Sequence, residues 1–252
     1  KSNPLTISPM KSPNFTNLPI AAAALFLVTT ASNAAVINVD VQGQAGSTSA
    51  VNYTGGSANG PIASGTTWNH FTADADPLST PLTNLIDDSG AATTVAVSFG
   101  SGWSGSYADG FNNNLQGDRT YTLAAAQGMM TISGLIEGGQ YNLAMITGVE
   151  ASGFFSTSFS IVGETPETAT AMTAAGGSGN GPLTFTEGTT HVLFENITAT
   201  DGSITFTTQS TLGINTNYAG VLAGLQIQAV PEPSSAALLG LGGLTLILRR
   251  RK

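Results

Sequence analysis

The chain has 252 residues, of which only 9% are charged, and it contains 31 glycines and no cysteine. The absence of thiols excludes disulfides and thiolate metal sites. Between residues 35 and 230 there are 14 acids and one base, Arg119, so that stretch carries 1 − 14 = −13 while the whole chain carries −8; such a surface repels phosphate backbones and excludes nucleic-acid binding.

The first 34 residues read as a secretory signal peptide. Lys1 and Lys11 are the only charges before residue 40, residues 20–28 ("IAAAALFLV") form a compact apolar core, and Ser32-Asn33-Ala34 supplies the small residues that a signal peptidase requires. A buried N-terminal helix is the competing reading. The chain opens on Lys1, and Met10 is an alternative start.

From residue 35 onward the pattern is β. "AAVINVDV" predicts a short strand with Val36, Val39 and Val41 in it. "TTVAVSF" (93–99) alternates with period two and puts Val95, Val97 and Phe99 on one face. Residues 118–127 have room for one or two helical turns. "MMTISGL" runs through Glu137-Gly138-Gly139-Gln140 into "YNLAMIT", a hairpin or corner on a Gly-Gly turn. "FSTSFSIV" (155–162) is a further strand, and 163–190 reads as a low-complexity connection. "HVLFENITAT" and "SITFTTQ" flank Asp201-Gly202, a short-range hairpin signal. "AGVLAGLQIQA" closes the body as a strand. No repeat of fixed period is visible, and many short strands with Gly-rich turns predict a sandwich or barrel.

The tail, "VPEPSSAALLGLGGLTLILRRRK", begins at Val230. Its apolar run, residues 236–248, would reach about 20 Å as a helix at about 1.5 Å per residue. That is short for a hydrocarbon core of about 30 Å. Pro231 and Pro233 stop any helix from running back into the body. Arg249, Arg250, Arg251 and Lys252 act as a cytoplasmic stop by the positive-inside rule, leaving the body across the membrane. A plain C-terminal anchor is the competing reading.

Val230-Pro231-Glu232-Pro233, an apolar run and an Arg-rich terminus together resemble the PEP-CTERM sorting signal of Gram-negative bacteria. The resemblance covers about the last 23 residues. It implies recognition and processing by a membrane-embedded exosortase, transient residence in the inner membrane, and delivery to the cell surface or extracellular matrix of a polysaccharide-producing cell. The expected organisation is a signal peptide (1–34), an all-β sandwich (35–229) and a sorting tail with a short hydrophobic helix (230–252). The body also resembles the jelly-roll domains found before such tails. The shared features are Trp68-Asn69, the turn Leu85-Ile86-Asp87-Asp88-Ser89-Gly90, the corner from Ile132 to Leu135 and the last strand from Gly224 to Ile227. A fibronectin- or immunoglobulin-like sandwich is the alternative, and the Leu135…Tyr141 spacing is similar to its tyrosine corner. The length of the body favours the jelly roll, because an immunoglobulin-type domain needs only about 100 residues.

Catalytic motifs are absent from the sequence: no G-x-S-x-G, H-E-x-x-H, P-loop, S-x-x-K or G-x-G-x-x-G occurs. His70 and His191 are the only histidines. His70 shares a strand face with Trp68 and reads as packed or surface rather than as a base. The acids mostly stand beside glycines, which is turn chemistry first. Asp74, Asp76, Asp87 and Asp88 offer hard oxygens from loops, a candidate structural calcium site, although no EF-hand spacing accompanies them. Sugar binding needs an aromatic platform with planar hydrogen-bonding side chains. Trp103 in a glycine-rich loop, with Tyr107, Asn112 and Asn114, is the candidate for a polyhydroxylated ligand. Trp103 can equally plug the end of the core. Arg119 beside Asp118 reads as an ion pair or as a clamp for an anionic ligand. The sequence thus points to an exported non-catalytic scaffold with weak affinity for extracellular polysaccharide, the alternative being an exported polysaccharide-active enzyme working through carboxylates.

Overall fold

The computed structural model describes residues 34–41, 60–62, 67–70, 80–108, 115, 118–122, 126–147, 155–163, 168–173, 185–211 and 220–231. The chain divides into two compact units, Lys1–Ala31 and Ser32–Lys252, and every described residue belongs to the second. The signal peptide and the tail helix expected from the sequence lie outside the described residues.

Alternating β-branched and polar residues dominate the body, and the described residues form thirteen strands and no helix. They are β1 (Val36–Asp40), β2 (Asn69–His70), β3 (Ala96–Phe99), β4 (Gly105–Ala108), β5 (Asp118–Thr122), β6 (Gln127–Ser133), β7 (Gln140–Ile146), β8 (Phe155–Val162), β9 (Thr168–Thr173), β10 (His191–Thr198), β11 (Ile204–Ser210), β12 (Gly220–Leu222) and β13 (Gly224–Ala229). A first sheet has the order β10-β7-β13-β1-β2, a second β3-β6-β11-β8-β9, and a small third β12-β5-β4.

Pairing identifies the topology. β1 pairs with β13, β6 with β11, β7 with β10 and β8 with β9, all antiparallel. These eight strands are nested, first with last and inward to the central hairpin. That is a ribbon rolled into two sheets, a jelly roll. Of the consecutive core strands only β8 and β9 form a hairpin; β6 to β7, β7 to β8 and β10 to β11 change sheet. An immunoglobulin-type sandwich keeps more neighbours together, so the alternative is set aside.

The core lies between the first two sheets. Val39, Leu143 and Leu225 from one and Val97, Ile132, Phe159 and Phe206 from the other are fully buried. Phe194 and Phe206 meet across it with ring centroids 5.8 Å apart. The expected face of "TTVAVSF" is found: Val95 and Val97 are buried, and Phe99 packs against the same cluster.

Four expectations are corrected. Residues 118–122 are strand, not helix, because Thr120 and Thr122 are buried while β5 pairs with both β4 and β12. The connection 163–190 holds β9, whose Thr-Ala-Thr-Ala-Met-Thr alternation pairs along β8. The closing strand is two strands, interrupted at Ala223. Asp201 (φ 51°) and Gly202 (φ 68°) do turn the chain, and Thr200 bridges Ser203. They make a corner rather than a hairpin, since β11 inserts between β6 and β8 and is satisfied on both edges. The corner at 136–141 has a tyrosine-corner bond: the Ile136 N–H donates to the Tyr141 hydroxyl at 2.9 Å.

Candidate functional site

The sorting motif begins where the fold ends. β13 is paired on both edges, with β1 and with β7, through Ala229. The Val230 N–H still donates to the Gln140 carbonyl at 2.8 Å. Val230 is half-buried and Pro231 is exposed. Proline has no N–H to extend the ladder, so the sheet stops there for a covalent reason. Glu232, Pro233, Arg249, Arg250, Arg251 and Lys252 lie outside the described residues.

Trp103 is built into the end of the core. Its indole Nε1–H donates to the Met129 carbonyl at 2.7 Å. Its ring meets Phe99 edge to face at 5.3 Å. A Cβ added at Gly128 would lie 2.7 Å from its Cε2, so the glycine is what admits the ring. The polar handle of a sugar platform is therefore already used, and only the outer part of the ring is open. Tyr107 falls on β4 opposite Arg119 on β5. Asn112 and Asn114 lie outside the described residues, so nothing gathers them with Trp103.

The candidate calcium ligands separate in a similar way. Asp74 and Asp76 are outside the described residues. Asp87 caps the turn that precedes β3. Its Oδ1 accepts from the Ser89 N–H (2.9 Å), the Ser89 hydroxyl (2.6 Å) and the Ala91 N–H (3.0 Å). The Ser89 hydroxyl is the main cause holding the Asp87 carboxyl below its usual range; desolvation opposes it, and backbone N–H groups add to it. Asp88 Oδ1 accepts from the Val36 N–H at 3.1 Å and fixes the start of β1. Both carboxylates thus have turn and strand duties. Among the described residues, no three His, Cys, Asp or Glu side chains converge as metal ligands would.

Two features were missed from the sequence. The first is a buried polar clamp on the outer face of the first sheet. Gln226 Nε2 donates to Asn38 Oδ1 (2.6 Å), the Ile62 N–H donates to Gln226 Oε1 (2.8 Å) and Asn38 Nδ2 donates to the Thr67 carbonyl (2.8 Å). Asn69 donates to the Asn38 and Ile86 carbonyls and accepts from the Ile86 N–H. These amides strap residues 60–70 over the sheet and pin the start of β1 to the turn at Asp87. Their signal was the outward-facing amide in "INV" and in "LQI", amid residues that otherwise look like an unbroken apolar strand.

The second is an open groove on the β10 edge, lined by Glu187, Leu193, Glu195 and Asn196. A bulge between Phe194 and Ile197 creates it. Asn196 takes φ 57° and its N–H donates to Asn142 Oδ1 at 3.0 Å. The adjacent polar pair Glu195-Asn196 in "HVLFENIT" was the readable sign of that bulge. His191, on the same edge, is buried against Phe185, with rings 6.0 Å apart. Its pKa is lowered by desolvation, and Glu187 opposes the shift. His70 is half-buried and stands beside Asp40 in the β1–β2 register. Arg119 is buried.

Residues 229–252 match the PEP-CTERM protein-sorting motif. No curated protein matches the chain. Among solved structures, the exo-β-1,3-galactanase of Phanerochaete chrysosporium with galactose overlaps at a TM-score of 0.30 and 15% identity, covering 61% of this chain and 34% of that one. A variant of the same enzyme with β-1,3-galactotriose overlaps at 0.29 and 19%, covering 54% and 26%. The chain thus spans about a third or less of those enzymes, and an overlap this low carries no argument about activity. The chain carries a PEP-CTERM motif, which implies recognition by an exosortase.

Proposed function

We propose that this is an exported protein, held briefly in the inner membrane by its tail and then released to the cell surface or extracellular matrix after exosortase processing. Its jelly roll is a non-catalytic scaffold that meets extracellular polysaccharide weakly. One observation carries the reading: the sorting motif starts at residue 229, and the last core strand ends there. Removing the tail therefore costs the fold nothing, as a sorting signal requires. The polysaccharide part rests on the open part of Trp103 and is the weaker limb. Calcium stays outside the reading, since Asp87 and Asp88 already bond the backbone.

Replacing Pro231-Glu232-Pro233 by alanines in the native host tests it. Export should persist while unprocessed chain accumulates in the inner membrane. Mass spectrometry of wild-type protein released from the surface should find Arg249 to Lys252 gone. Their presence on released protein would refute the sorting role.

A further inference from the structure

The acids of the body avoid one face. On the second sheet, the outward positions of β3, β6, β11 and β8 hold no acid, base or aromatic residue. Cross-strand rows make this concrete. Ser98, Thr131, Thr205 and Val162 form one row, and Gln127, Gln209 and Ser158 another. Thr131 and Thr205 share a hydroxyl hydrogen bond of 3.1 Å. Met129 and Val162 stand up from the face, 40% and 53% exposed. The outer face of the first sheet is different, because residues 60–70 cover it. The described acids lie on that sheet, its β10 edge, the turns and β5.

We infer that this charge-free face is where a second copy of the chain docks. Two bodies of charge −13 repel wherever their acids meet, and this face is the broad surface without them. A two-fold interface must also complement itself, residue for residue. Hydroxyls and amides do so, since each can donate and accept. Met129 and Val162 supply the apolar contact. A polysaccharide would want an aromatic platform, and this face has none. Five strands about 4.8 Å apart, with central strands of seven residues at about 3.4 Å, give a footprint of about 500 Å² per copy. A standard interface buries about 800 Å² per partner, so the association is weak and reversible. It becomes effective where the chains are crowded, as on a surface. This inference does not depend on glycan binding.

The test is sedimentation velocity of the full chain in a polyoxyethylene detergent, over a wide concentration range. Wild type should shift reversibly from monomer to dimer. The pair M129E/V162E should weaken that shift at least about tenfold, with unchanged thermal unfolding, by setting like charges face to face. Mixing it with M129K/V162K should restore dimers. A wild type monomeric throughout, or a double glutamate variant that dimerises as wild type does, overturns the inference. Retention of monomeric wild type by hydroxyethylcellulose, lost in M129E/V162E, overturns it too and gives the face to a polysaccharide.

Discussion

Replacing Asp87 by alanine removes the acceptor of three hydrogen bonds in one turn. Bonds to a charged group contribute about 1.5–3 kcal/mol each, and a plain sum would reach well above 4 kcal/mol. The sum overstates the loss, because Ser89, Gly90 and Ala91 are exposed and their donors re-bond to water. The closer analogue is a lost helix N-cap, worth about 0.5–2 kcal/mol. For a body of this size, with about 2–4 °C per kcal/mol, Tm should fall by about 2–8 °C at pH 7. Asp87→Asn keeps one acceptor and should lose less. The pH dependence gives the sharper readout. The folded carboxyl titrates below its ordinary value of about 3.9. Its contribution is therefore present above that value and lost as pH falls through the folded pKa. The gap between wild type and D87A, followed by circular dichroism melts, should be full at pH 7 and close in strong acid. A gap that is absent at pH 7, or that persists unchanged at pH 2.5, refutes the capping account. Calcium and chelator should give equal melts, since Oδ1 already has three donors.

Gly134→Ala and Gly138→Ala form a matched pair, with φ of +72° and +73°. A Cβ at Gly134 would stand 2.0 Å from the Thr94 carbonyl oxygen, whereas nothing lies within 4 Å at Gly138. The first should cost about 3 kcal/mol or more and the second about 1 kcal/mol, read as denaturant midpoints; equal costs would discredit the packing at this corner. His191 is held below its ordinary pKa by burial, so its contribution is intact above about pH 6.5 and lost as pH falls through the folded value. H191Q should flatten the stability profile between pH 7 and 5, and a profile as steep as wild type would count against that burial.

Strand positions were the most legible part of the chain, because period-two patterning needs no partner to be seen. "FSTSFSIV" matches β8 residue for residue. Pairing was less legible. Asp201-Gly202 has the backbone of a hairpin turn, yet β11 gains two neighbours by crossing to the other sheet. A local turn cannot announce that choice. Residues 118–122 misled because Asp118 and Arg119 look solvent-facing, while the structure buries Arg119 and Thr120. The candidate site was least legible. Trp103 was open to two readings until its N–H was seen to bond Met129. Asn38 and Gln226, which strap down residues 60–70, looked like ordinary outward residues. What a polar side chain faces is decided by segments distant in sequence: 188 residues separate Gln226 from Asn38.

The position of β13 bears on how the tail can be removed. This strand is central, with β7 on one edge and β1 on the other, so every residue from Gly224 to Ala229 is held by one or both neighbours. A cut within it would strip pairing from two strands at once and uncover Leu225 and Ile227, both buried. The bond from Val230 to Gln140 extends protection one residue further. A processing enzyme needs extended, unpaired backbone, and the chain first offers it at Pro231, which is exposed and has no N–H for the sheet to claim. The fold therefore sets the inner limit of cleavage. The mature C-terminus should lie at Val230 or beyond. A mature chain ending before Ala229 would mean that the enzyme acts on the body before β13 has entered its sheet.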